Sequence, residues 1–221
     1  MNILRAVSLS LLVVTISFLP SVPLDAETII STDVGTTGCC YSILNIYNAE
    51  SGWSLGNTFD NVTITAEIDP GTGSGLSGTA YLMTQIGPGT TVADQLGTAT
   101  FTASGAAFTA ELNTLFTGLT LGPGNYYLVL SSPDGLGWEA ADPGASVVTA
   151  PGVSLLSLDS TFPNPPAGYA PAGDFSSPLG NNPEFTVTGS LVSPVPEPGG
   201  VALLCTILLG LYGTVKRRFV S

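Results

Sequence analysis

Phe59-Asp60-Asn61-Val62-Thr63-Ile64-Thr65-Ala66-Glu67-Ile68 is the stretch that decides the fold. Val62, Ile64, Ala66 and Ile68 alternate with Asn61, Thr63, Thr65 and Glu67. Successive side chains of a strand point to opposite faces, so this period of two predicts a strand with one buried and one wet face. Asp69-Pro70-Gly71 ends it as a turn, and Gly73-Ser74-Gly75 carries a loop into a second run at residues 79–86. Further runs follow at 96–102, 107–112 and 116–121, after which Gly122-Pro123-Gly124-Asn125 turns the chain into 126–131. Others lie at 146–149, 153–158 and 184–191, with one upstream at 41–47. Nine to ten such runs, punctuated by turn residues and nearly free of helical periodicity, predict an all-β domain. A single open sheet of that size would leave an apolar face uncovered. The expected architecture is therefore a two-sheet β-sandwich, jelly-roll-like rather than a barrel. Residues 162–182 contain Pro163, Pro165, Pro166, Pro171 and Pro178, which cannot carry a regular ladder, and this segment is expected to be a long loop.

Charge is distributed unevenly. The 221 residues hold 16 Asp and Glu, four Lys and Arg and no His, for a net charge of −12. The four cations are Arg5, Lys216, Arg217 and Arg218, so residues 27–198 contain none, while all the carboxylates except Asp25 and Glu197 lie inside that stretch. Such a domain repels nucleic-acid phosphates, and no nucleic-acid partner is expected. It also lacks the residues for a Ser-His-Asp or Cys-His arrangement and for the usual zinc ligand sets. Of the ordinary enzyme classes, only a carboxylate-pair hydrolase remains open. The expectation is that the protein is not an enzyme.

Several residues stand out as candidate ligands. Asp134, Glu139 and Asp142 surround Gly135, Gly137 and Gly144 in an acidic loop whose spacing fits no EF-hand, so it reads either as a calcium loop or as solvated surface. No cofactor is expected, with calcium left open. Glu67 and Asp69 share a strand face and read as a solvated edge. Trp53, Tyr126, Tyr127, Trp138 and Tyr169 offer flat faces for sugar rings, against the plainer reading that they pack the core. Tyr126 and Tyr127 are adjacent on a strand, so only one of them can face outward. Cys39 and Cys40 are neighbours whose Cα atoms, about 3.8 Å apart, are too close for an unstrained bridge.

The two ends carry targeting signals. Residues 1–26 read as a signal peptide: Arg5 supplies the basic region, 6–19 the apolar stretch, and Leu24-Asp25-Ala26 the cleavage site. At the other end Val195, Pro196, Glu197 and Pro198 precede the uncharged residues 199–215, which are followed by Lys216, Arg217 and Arg218. Residues 199–215 as a helix would reach about 26 Å, enough for a thin bilayer. The basic cluster places 216–221 in the cytoplasm and the domain across the membrane. The prolines keep the preceding segment extended, and Glu197 complements the positive end of the helix. The organisation expected is a signal peptide at 1–26, a β-sandwich ectodomain at 27–189, a Pro-rich tether at 190–198, a transmembrane helix at 199–215 and a basic tail at 216–221.

Residues 195–221 closely resemble the PEP-CTERM sorting signal, with its Val-Pro-Glu-Pro start, Leu/Gly-rich helix and basic stub. Cys205 and the trailing Phe219-Val220-Ser221 depart from the usual texture. The resemblance implies recognition of Val195, Pro196, Glu197 and Pro198 by an exosortase, a membrane-embedded transpeptidase of Gram-negative bacteria that make extracellular polysaccharide. It also implies passage through the inner membrane to the cell surface, outer membrane or extracellular matrix, with extracellular polysaccharide as a partner. Gly78-Thr79-Ala80-Tyr81-Leu82 and Leu119-Thr120-Leu121-Gly122-Pro123-Gly124-Asn125-Tyr126-Tyr127-Leu128-Val129-Leu130 look like the choice-of-anchor R group of surface proteins. That group implies surface display and no defined activity.

Overall fold

The computed structural model describes residues 26–33, 41–43, 49–141, 146–161, 169–192 and 207–208. The described strands are β1 (Glu27–Ser31), β2 (Tyr41–Ile43), β3 (Ala49–Leu55), β4 (Phe59–Asp69), β5 (Leu76–Met83), β6 (Gln95–Ala103), β7 (Glu111–Leu121) and β8 (Gly124–Ser131). They continue with β9 (Leu136–Trp138), β10 (Ala140–Ala141), β11 (Val148–Thr149), β12 (Val153–Thr161), β13 (Phe175–Pro178), β14 (Asn182–Pro183) and β15 (Phe185–Leu191). The fold is all-β, built on two main antiparallel sheets. One runs β11-β1-β15-β4-β9-β2, with β7 on the other edge of β4; the second runs β13-β12-β3-β8-β5-β6. A short β10-β14 ladder lies apart from both.

The alternation in β4 produces this arrangement. Val62, Ile64, Ala66 and Ile68 are fully buried, whereas Thr63, Thr65 and Glu67 are half-buried. Near the start of β4, Asn61 adopts a φ of 53° and the pairing with β7 shifts register, so Phe59 and Val62 both face inward. Facing them across the core are Ala49, Trp53 and Leu55 of β3, Leu128 and Leu130 of β8, and Ala80 and Leu82 of β5. Trp53 joins the sheets directly, with its ring centroid 5.5 Å from that of Phe185 in β15 and 6.1 Å from that of Tyr126 in β8.

Three expectations are revised. Residues 107–112 and 116–121 do not form two strands: β7 runs unbroken from Glu111 to Leu121, with Gly118 absorbing an irregularity at a φ of 69°. The proline-rich segment is not wholly a loop. Its described part holds a 3₁₀ turn at Ala170–Ala172 and the strand β13, and Pro178 is tolerated there because β13 is the edge of its sheet. The strands β1 and β3 were not anticipated at all.

Gly78 illustrates how tightly the second sheet is packed. It pairs with Phe101 across β5 and β6, and a Cβ at Gly78 would fall 2.3 Å from Phe101 Cζ. Gly78→Ala should therefore displace the ring and cost about 1–3 kcal/mol of unfolding free energy in a urea titration. Most of that loss should vanish in a Phe101→Leu background, and equal losses in both backgrounds would contradict the packing described.

The chain divides into two units, residues 1–191 and 192–221. Of the tail beyond Val192, only Ile207 and Leu208 are described, and both are helical. Among the described residues no helix is long and apolar enough to cross a membrane. The expected signal peptide, Cys39, Cys40, the sorting motif and the basic cluster lie outside the described residues.

Candidate functional site

The acidic side chains of the first sheet converge where three strands meet on one edge of β4. β15 pairs with β4 as far as Phe185↔Ala66, and β9 takes over at Ile68↔Trp138, leaving Glu67 at the junction. Three backbone hydrogen bonds close a ring there. Glu67 N donates to Glu184 O (3.1 Å), Glu184 N donates to Glu139 O (2.7 Å), and Glu139 N donates to Glu67 O (2.9 Å). Trp138 Nε1 also donates to Glu184 O, at 2.9 Å. Ala66, Ile68, Trp138 and Phe185 belong to the core. The glutamates next to them therefore project from the opposite face of the sheet.

Asp33 reaches the same place from β1. Thr32, fully buried, donates its hydroxyl to Pro183 O, accepts from Phe185 N (3.0 Å) through the same oxygen, and donates its amide to Phe185 O (3.0 Å). Asp33 N is held by Ser31 Oγ at 3.2 Å, and Ser31 Oγ lies 2.7 Å from Thr186 Oγ1. These bonds fix the end of β1 to the start of β15. As a result, one carboxylate oxygen from each of Asp33, Glu67 and Glu184 lies within 4.8 Å of the others.

Glu184 is the unusual member. It is 1% exposed, and its Oε1 is buried without a hydrogen-bond partner. Burial pushes its carboxyl up to about 7. Repulsion from Glu67 and Asp33, a hydrogen bond with Glu67 and repulsion from Glu139 act in the same direction. The Glu139 carboxyl is also raised, by burial first and then by Asp69 and Glu67. With no cation anywhere in 27–198, only protons or bound cations can neutralise this group.

No family model, curated protein or solved structure matches this chain.

The structure separates residues that the sequence grouped together. Glu139 joins the acidic junction, but Asp134 binds Ser77 on β5, accepting from its amide at 3.1 Å and its hydroxyl at 3.2 Å. Asp142 lies outside the described residues. Glu67 and Asp69 are not a solvated edge: Asp69 is buried, and its Oδ1 accepts from Gly71 N at 2.6 Å to close the turn. The aromatic set does not form one platform either. Trp53, Trp138 and Tyr126 are buried in the core, and Tyr126 Oη donates to Gly122 O at 2.8 Å. Tyr127 is half-buried on the outer face of the second sheet, as the opposed orientation of adjacent residues requires. Tyr169, also half-buried, packs edge-on against Tyr81 at 5.9 Å.

A second buried acid provides a contrast. Glu50 in β3 is fully buried and is also pushed up to about 7 by burial. Both its oxygens are satisfied, Oε1 by Ser157 Oγ at 2.7 Å and Oε2 by Asp159 N at 3.1 Å. Glu50 thus ties β3 to β12, whereas Glu184 has an unused oxygen within a group of carboxylates.

Proposed function

We propose that this chain is an exported, non-catalytic surface protein: a jelly-roll-like sandwich carried between a cleaved signal peptide and a membrane-spanning sorting tail, and handed to an exosortase-type transpeptidase. The observation that carries this reading is the order of the C-terminal residues. Val195, Pro196, Glu197 and Pro198 precede the uncharged 199–215, and Lys216, Arg217 and Arg218 follow. The placement of all four cations beside the two apolar stretches supports it, because Lys and Arg flanking a span tend to stay on the cytoplasmic side. The domain also completes its last core strand, β15, at Leu191, before the motif begins. Its expected partners are the sorting enzyme and the extracellular polysaccharide matrix.

Replacing Pro196, Glu197 and Pro198 with alanine should leave the apolar span intact and cause the protein to accumulate in the inner membrane. Fractionation of the producing bacterium is the check. A triple variant reaching the surface in wild-type amounts would remove the sorting claim.

The junction of Asp33, Glu67 and Glu184 favours a second reading, a calcium-dependent polysaccharide-binding module. Retention on immobilised polysaccharide that is abolished by a chelator would support it. The same junction weighs against a carboxylate-pair hydrolase. Such enzymes hold two acids about 5–9.5 Å apart across an open cleft. Here the oxygens lie within 4.8 Å and one acid is wholly buried.

A further inference from the structure

We propose that Asp33, Glu67 and Glu184 bind a calcium ion that fastens the ends of β1, β4 and β15 together. Three observations converge on this. The three carboxylate oxygens lie within 4.8 Å of one another. Two ligands each about 2.4 Å from one ion can be no more than about 4.8 Å apart, and every pair in the group meets that condition. Independently, Glu184, a member of the cluster, is only 1% exposed and its Oε1 has no hydrogen-bond partner, which is costly for a carboxylate unless a proton or a cation meets it. No Lys, Arg or His exists between residues 27 and 198 to fill that role.

The donor set selects the ion. All three ligands are carboxylate oxygens, which suit hard cations and not the softer metals bound by imidazole or thiolate. Calcium accepts six to eight oxygens in flexible geometry and can complete its shell with water, whereas magnesium demands a near-ideal octahedron and keeps its own waters. The ligands come from positions far apart in sequence but held by a rigid hydrogen-bonded junction, so the ion would lock strand ends rather than order a loop. This inference is independent of the sorting reading: calcium binding by the purified chain and delivery to the surface are measured separately.

The test uses the full-length chain purified in a zwitterionic detergent, with terbium as a luminescent substitute for calcium. Trp138, whose Nε1 is bonded to the backbone of Glu184, is placed to sensitise terbium emission at the junction. Sensitised emission should appear on adding terbium and be displaced by calcium, but not by the same concentration of magnesium. Glu184→Gln, Glu67→Gln and Asp33→Asn should each weaken binding by roughly tenfold or more, because affinity at oxygen sites follows ligand charge. Glu27→Gln, at the far end of β1, should bind as the wild type does. Should Glu184→Gln fail to fold, the half-buried Asp33→Asn decides the matter. Absence of sensitised emission, displacement by magnesium as readily as by calcium, or equal affinity in Asp33→Asn and Glu27→Gln would each overturn the assignment.

Discussion

Trp53→Ala should cost about 3–5 kcal/mol of unfolding free energy, whereas Trp53→Phe should cost about 1 kcal/mol or less. Trp53 is fully buried and packs against an aromatic ring from each sheet, stacked on Tyr126 and tilted against Phe185, so truncating it opens a cavity where the sheets join. Its indole Nε1, however, is buried without a hydrogen-bond partner. An orphaned donor carries a desolvation penalty of about 1–3 kcal/mol, and phenylalanine removes that penalty along with part of the ring. At Trp138 the balance differs, because its Nε1 is bonded to Glu184 O and the Phe replacement loses that bond. Trp138→Phe should therefore be the more costly of the two Phe variants. Urea titrations of the four proteins, wild type included, provide the comparison. A larger loss for Trp53→Phe than for Trp138→Phe would show that the unpaired indole has been misjudged.

The second large effect is on pH dependence. Burial raises the Glu50 carboxyl from 4.5 to about 7, with Asp159 adding repulsion, while the bonds from Ser157 Oγ and Asp159 N pull it back only in part. Tyr127, its other titratable neighbour, lies on the adjoining strand β8 and is itself raised, by burial first and then by the Glu50 charge. The folded state thus holds a proton on Glu50 that the unfolded chain releases above about pH 4.5. Glu50 contributes stability that is fully present below about pH 4.5 and lost as pH rises through about 7. A shift of that size corresponds to on the order of 3 kcal/mol. Glu50→Gln keeps the acceptor oxygen for Ser157 without the titrating proton. The difference in stability between wild type and Glu50→Gln should move in favour of the variant between pH 5 and pH 8, by roughly that amount. A difference that stays constant across this range would contradict the account.

What the sequence made legible follows from its local patterns. β4 was visible because its two faces meet different surroundings, and β15, β8, β6 and β12 were visible because turns bracket apolar runs. β3 was not, since in Ala49-Glu50-Ser51-Gly52-Trp53-Ser54-Leu55 nearly every residue is buried and β-branched residues are absent. Glu50 and Gly52 occupy the outer face but are covered by neighbouring strands, so polarity there does not signal exposure. Gly52 is needed because a Cβ would sit 2.8 Å from the Tyr127 ring. β1 lay next to the expected cleavage site and offers only five residues.

The acidic junction was invisible for a different reason. Asp33, Glu67 and Glu184 come together only because β15 lies between β1 and β4, and no local spacing encodes that order. One sequence signal existed. Glu67, Glu139 and Glu184 each sit directly beside an apolar core residue in a domain with no cation to pair with any of them. Acids in such positions must share protons or ions wherever the strands gather them.

N-terminal sequencing of the chain recovered from each fraction of the cells that make it should find a polypeptide beginning at Glu27 in the envelope or matrix fractions, as export of the domain requires. A chain still beginning at Met1 in the soluble cytoplasm would contradict it.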